Sequence, residues 1–200
     1  MHYFLLVTGN NVDKQMEPFW ELDLSPEDRA LDHRSQFIDE TEELKQEYEK
    51  HKNEDWCSGF SFAQFCHEWN GSVACDPLLT FDGYDSARFG RYDNPNSKWD
   101  WYVVCDGDGR WDGLPLKDGN TAVSARKGDI DFSKLKSSYA VLHDGTWYDE
   151  TSNEPRFWTK YLDISEKKRN AITANWRKNW KKITRSIPDN TMITAVDYHC

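Results

Sequence analysis

The chain has 200 residues, room for one domain with a real core, and carries a formal charge of −10 at pH 7. That balance opposes sequence-independent binding to a nucleic-acid backbone, and no apolar run approaches the roughly 20 residues a membrane-crossing helix needs. Ten Trp, nine Tyr and ten Phe imply a largely aromatic core and argue against disorder.

Met1-His2-Tyr3-Phe4-Leu5-Leu6-Val7 is a short apolar run without a basic start, so residues 3–8 read as a buried strand and not as an export signal. Gly9-Asn10-Asn11 closes it. Asp39 to Asn53 is rich in Glu, Lys and Gln, with Leu44 and Tyr48 four apart, the pattern of an exposed helix with a thin apolar stripe. Phe62, Phe65, Cys66 and Trp69 then repeat at helical spacing, with Ser61 placed to cap the start and Gly71 to stop the end.

From Thr80 to Gly128 the chain is dense in Gly, Asp and Asn around short apolar pieces such as Trp101-Tyr102-Val103-Val104, which predicts strands joined by long loops. Tyr139 to Leu142, Asp144-Gly145 and Thr146 to Tyr148 form a hairpin signal. Ser165 to Ser186 predicts the longest helix, with Ile172, Trp176, Trp180 and Ile183 as its buried stripe. After the turn Ile187-Pro188-Asp189-Asn190, Thr191 to Tyr198 is a β-branched final strand. Together these elements predict a single α+β domain over residues 1–200, an antiparallel sheet with two to three packed helices.

The charge is unevenly spread. Asp163 to Ile187 holds eight Lys or Arg against Asp163 and Glu166, a local +6 that leaves −16 on the remainder. Such a segment is either a solvated helix face or an anion-binding face, and it could line a pocket between subunits of a homo-oligomer.

The five cysteines are odd in number, which suits a reducing, cytoplasmic setting. Cys57, Cys66, His67 and Cys75 are soft ligands, but their spacing lacks the close Cys pairs of zinc sites, and Cys66 falls on an apolar stripe. Asp106-Gly107-Asp108-Gly109 begins like a calcium loop, yet Arg110, Trp111 and Lys117 stand where further ligands and a Gly are needed. No metal and no cofactor is expected.

Asn94-Pro95-Asn96-Ser97-Lys98-Trp99-Asp100-Trp101-Tyr102, followed by Gly109-Arg110-Trp111, concentrates aromatic faces, two cations and a carboxylate between turn formers. Aromatic faces stack on planar ligands and cations meet phosphate, so Lys98, Trp99, Asp100, Trp101, Tyr102, Arg110 and Trp111 form the candidate ligand site. On a strand, Trp99 and Trp101 would share one face and Asp100 and Tyr102 the other. His67, His143 and His199 are the candidate acid/base groups. Asp197 and His199, two apart on one strand face, make the better pair should the protein be an enzyme. Nucleophile triads, phosphate loops and dinucleotide fingerprints are missing from the sequence.

Several stretches resemble a family of largely uncharacterised bacteriophage proteins. These are Phe4 to Val12 with Gln15 to Phe19, the central Asn-Pro-Asn-Ser-Lys-Trp-Asp-Trp-Tyr run with Gly109-Arg110-Trp111, the Ala140 to Tyr148 hairpin, and Pro188 to Thr191 with Val196 to His199. The central motif is the specific one. That family usually has two glycines just before Arg-Trp; here Val103 to Asp108 lengthens the spacing and Asp108 replaces one Gly. The resemblance implies a phage accessory protein of the host cytoplasm. With the aromatic and cationic cluster, it leads to the expectation of a protein that evades host defence by sequestering a small nucleotide-derived signal. An enzyme degrading or modifying such a nucleotide is the alternative. A third reading is an acidic inhibitor, a DNA mimic, whose partner is a host defence protein.

Overall fold

The computed structural model describes residues 1–70, 74–75, 88–105, 110–135, 138–150 and 165–200, with 26, 27, 70, 74 and 75 as backbone only. The fold is α+β. Contacts gather the chain into two compact units, one of Met1–Pro18 with Trp99–Cys200 and one of Phe19–Lys98.

The first unit is built on a sheet whose central strands are the two chain ends. β1 (His2–Thr8) and the last strand, β11 (Met192–His199), pair antiparallel from His2↔His199 to Thr8↔Ile193. Both are buried along nearly their whole length, which explains their continuous apolar runs. β11 also pairs with β5 (Trp101–Val104) and β8 (Ser124–Arg126). On the other side β1 pairs with β9 (Ala140–His143), which forms a hairpin with β10 (Thr146–Asp149). The hairpin turn is the expected one: Asp144 and Gly145 both adopt positive φ, 49° and 71°, as a tight primed turn requires. All pairs in this sheet are antiparallel except β1 with β9. The long excursion between those two strands permits the parallel arrangement, which a tight turn could not make.

One face of this sheet packs against the longest helix, α5 (Glu166–Ser186), capped by Ser165. Phe4, Leu6, Val141, Ile193 and Ala195 meet Trp176 and Trp180 in one core. Each indole finds a partner: Trp176 Nε1 donates to the Ser138 carbonyl (2.9 Å) and Trp180 Nε1 to Ser138 Oγ (2.8 Å). Burying a Trp side chain is worth on the order of 5 kcal/mol before entropy, so these two anchor the helix. Of the expected stripe Trp176 and Trp180 are buried, while Ile172 and Ile183 are half-buried; Thr184 is buried as well, its hydroxyl returned to the Trp180 carbonyl. Two further short strands, β6 (Leu114–Pro115) and β7 (Thr121–Ala122), pair with each other in this unit, and a short helix, α1 (Val12–Met16), follows β1.

The second unit has a small sheet of β2 (Gln36–Asp39), β4 (Phe89–Asp93) and β3 (Ala74–Cys75), in the order β2-β4-β3. Among its described residues are the helices α2 (Pro26–Leu31), α3 (Thr41–His51) and α4 (Phe62–Asn70). Ser61 and Gln64 close a reciprocal capping box at the start of α4, Gln64 N donating to Ser61 Oγ and Ser61 N to Gln64 Oε1. Leu44, Cys57, Phe65, Cys66 and Phe89 form this core, with Cys57 and Cys66 serving as small apolar groups. Gly90 is required where β2 crosses close by, because a Cβ there would stand 2.0 Å from the Ile38 carbonyl oxygen. Gly71 and Asp106 to Gly109 lie outside the described residues, as does the side chain of Cys75.

Candidate acid–base site

The register of β1, β11 and β5 places His2 opposite His199 and His199 opposite Trp101, so all three side chains stand on one sheet face. Asp197, two residues before His199 and opposite Phe4, shares that face. Pairing continues past the strand ends: Cys200 N donates to the Met1 carbonyl (3.2 Å) and Asp100 N to the His199 carbonyl (3.1 Å). The backbone that carries the cluster is therefore hydrogen-bonded on both sides.

Two imidazole–carboxylate pairs result. His2 Nδ1 lies 3.1 Å from each carboxylate oxygen of Asp197, and His199 Nδ1 lies 2.9 and 2.8 Å from those of Asp100. The two imidazoles touch, with ring centroids 5.5 Å apart and planes at 74°. Trp101 stacks nearly parallel to His199, at 10° and 5.6 Å, and meets His2 edge-on at 5.1 Å. Trp101 remains 41% exposed, while Asp197 is buried at 5%. Partial burial raises the Asp100 carboxyl, but hydrogen bonds from the His199 imidazole and the Trp101 N–H outweigh it and hold the group below its ordinary range. Asp100 is thus an ionised acceptor, and a carboxylate can only accept, so His199 Nδ1 carries the hydrogen. With Nδ1 occupied, Nε2 is the atom left to exchange a proton.

The structure redistributes the residues expected to form one binding wall. Asp100 and Trp101 belong to the cluster. Trp99 precedes β5, so strand alternation does not reach it. Its indole donates to the Met16 carbonyl (2.9 Å), and its ring lies edge-on to Tyr102 at 4.8 Å. Tyr102 is on the opposite sheet face from Trp101, its hydroxyl bonded to Asp13, and burial first and that carboxylate second raise its ionisation well above normal. Trp111 packs against the core and contacts the Phe4 ring at 5.5 Å. Its buried Nε1 has no hydrogen-bond partner among the described residues. Arg110 is exposed; Lys98 is half-buried in the second unit, its backbone N donating to the Phe19 carbonyl (2.7 Å).

Asp197 and His199 share a face as expected but do not pair with each other. Each takes a partner from elsewhere in the chain, because the neighbouring strand offers a closer group than the next residue on the same face. His2 is the member that sequence reasoning missed. Its signal is the antiparallel pairing of the first and last strands, which brings residue 2 beside residue 199.

At the far end of β1 and β11 a cavity of about 460 Å³ is lined by Thr8, Gln15, His143, Asp144, Ser186 and Thr191, among others. His143 Nδ1 lies 3.0 Å from Thr8 Oγ1, so this imidazole is fixed by a hydroxyl and stands apart from the two pairs. The cavity has room for a ligand, but the proton-transfer groups are concentrated at the other end. His67 is exposed on α4, and no group of three His, Cys, Asp or Glu among the described residues is arranged to hold a metal. Among the described residues, no helix is long and apolar enough to cross a membrane.

No known protein family matches the chain, and comparison with curated proteins and with solved structures gives no match.

Proposed function

We propose that the chain is an enzyme of nucleotide phosphodiesters, with His2 and His199 as its general acid and base. The observation that carries this reading is the pair of imidazoles in ring contact, each tethered through Nδ1 to its own carboxylate. Displacement at phosphorus needs one group to take a proton from the entering oxygen and another to give one to the leaving oxygen. Two imidazoles with orienting carboxylates supply both. Trp101, stacked beside them and exposed, offers a flat face for a base. The resemblance of the central motif to phage proteins supports a nucleotide-derived defence signal as the substrate, met in the host cytoplasm.

A second reading, sequestration without turnover, is favoured by the exposed Trp101 face alone, which suits holding a base whether or not chemistry follows. Incubating the protein with cyclic and NAD-derived nucleotides and recovering them after heat release separates the two. A new mass that disappears in His199→Ala supports the enzyme, whereas intact recovery of a withdrawn nucleotide supports the sponge.

A further inference from the structure

The acid–base reading leaves open where the nucleophile comes from, and the inference drawn here rests on that reading. The side-chain hydrogen bonds of His2 and His199 go to Asp197 and Asp100. Among the described residues, no Ser, Thr or Cys is hydrogen-bonded to either ring, so none of these is seen placed for the base to activate. The attacking oxygen then belongs to water or to the substrate. A hydroxyl already attached beside the phosphorus has an effective concentration on the order of 10⁵ M or more, which water cannot approach. In a ribonucleotide that group is the 2′-hydroxyl next to a 3′,5′-phosphodiester.

We propose that the double imidazole pair is a transesterification site for ribonucleotide phosphodiesters bearing a free 2′-hydroxyl. One Nε2 takes the 2′-hydroxyl proton as O2′ bonds to phosphorus; the P–O5′ bond breaks, and the other imidazole gives its proton to O5′. The products are a 2′,3′-cyclic phosphate and a 5′-hydroxyl. No water, metal or oxidant is consumed, and the exchanged protonation states of the two imidazoles are reset by solvent, to which both side chains are partly open (26% and 32%). The entering and leaving oxygens are different atoms on opposite sides of phosphorus, so the step needs two separate proton-transfer groups, and His2 and His199 are two separate imidazoles with ring centroids 5.5 Å apart. Trp101 stacks on the base and plays no part in the proton transfers.

The test incubates the full chain with the dinucleotide uridylyl-3′,5′-adenosine and with its 2′-deoxyuridine counterpart, followed by mass spectrometry. The expected result is uridine 2′,3′-cyclic phosphate and adenosine from the first and no change in the second. His2→Gln and His199→Gln, prepared identically and checked for fold by circular dichroism, should each be slower by about 100-fold or more. Cleavage of both substrates to linear monophosphates would overturn the 2′-hydroxyl inference while leaving the acid–base site standing. Cleavage that persists in both folded variants, or no cleavage of the ribodinucleotide, overturns it as well. Only if the wider nucleotide panel is also untouched does the acid–base reading fall with it.

Discussion

Each imidazole at the end of the central sheet has one nitrogen committed to a carboxylate, and that fixes what the other nitrogen can do. His2→Ala and His199→Ala are expected to lower kcat by about 10²–10⁴ on a cleavable nucleotide, measured by steady-state kinetics. Because one imidazole must be protonated and the other neutral, kcat/KM should trace a bell against pH. A sigmoid with a single inflection would show that one of the two does not take part. Trp101→Ala should chiefly weaken substrate binding, by the about 1–3 kcal/mol that a stacked base contributes, with little change in Tm because the ring is exposed. Asp100 adds a stability term with a definite sign. Its folded ionisation lies below the unfolded value of about 3.9, so the stabilisation is present above that pH and is lost as pH falls through the folded value.

The elements themselves were largely legible, because period and punctuation carry them. The helix read from Asp39 to Asn53 is α3 over Thr41–His51, that from Ser165 to Ser186 is α5 over Glu166–Ser186, and the Asp144-Gly145 hairpin stands as expected. Strand order was not legible, since which strands become neighbours depends on packing that no local pattern encodes, and the parallel β1–β9 pair is an instance. At this scale α5 gives a direct check: Trp180→Ala removes a buried indole and its bond to Ser138, and should cost about 3–5 kcal/mol in denaturant unfolding. The opposite sheet face carries Tyr3 and Tyr198, whose rings meet tilted by 30° with centroids 5.4 Å apart. Burial pushes the Tyr3 hydroxyl up to about 12, with smaller contributions from Cys200, Tyr139 and Glu150. An unfolded tyrosine ionises near 10, so this stabilisation is intact below about pH 10 and is lost as pH rises toward 12. Unfolding midpoints measured across that window should fall, and Tyr3→Phe should flatten the decline.

Across the whole molecule, the site draws on three segments far apart in sequence: residue 2, residues 100 and 101, and residues 197 and 199. The sequence exposed two of them, through the aromatic motif and the Asp-x-His ending. The third, His2, gave no local signal because its role comes from register alone. Alternation along β5 turns Tyr102 away from Trp101, whereas Trp99 precedes that strand and bonds to the Met16 carbonyl, Trp111 packs on Phe4, and Asp100 and Trp101 stand in the cluster. The central claim is that this cluster converts a nucleotide and does not merely hold one. Its most direct test is mass spectrometry of a panel of nucleotides, cyclic, dinucleotide and NAD-derived, after incubation with the wild-type chain and with His199→Ala. The account predicts a product of new mass from the wild type and unchanged nucleotide from the variant. Recovery of every nucleotide intact from the wild type, whether withdrawn and released or free throughout, would contradict it.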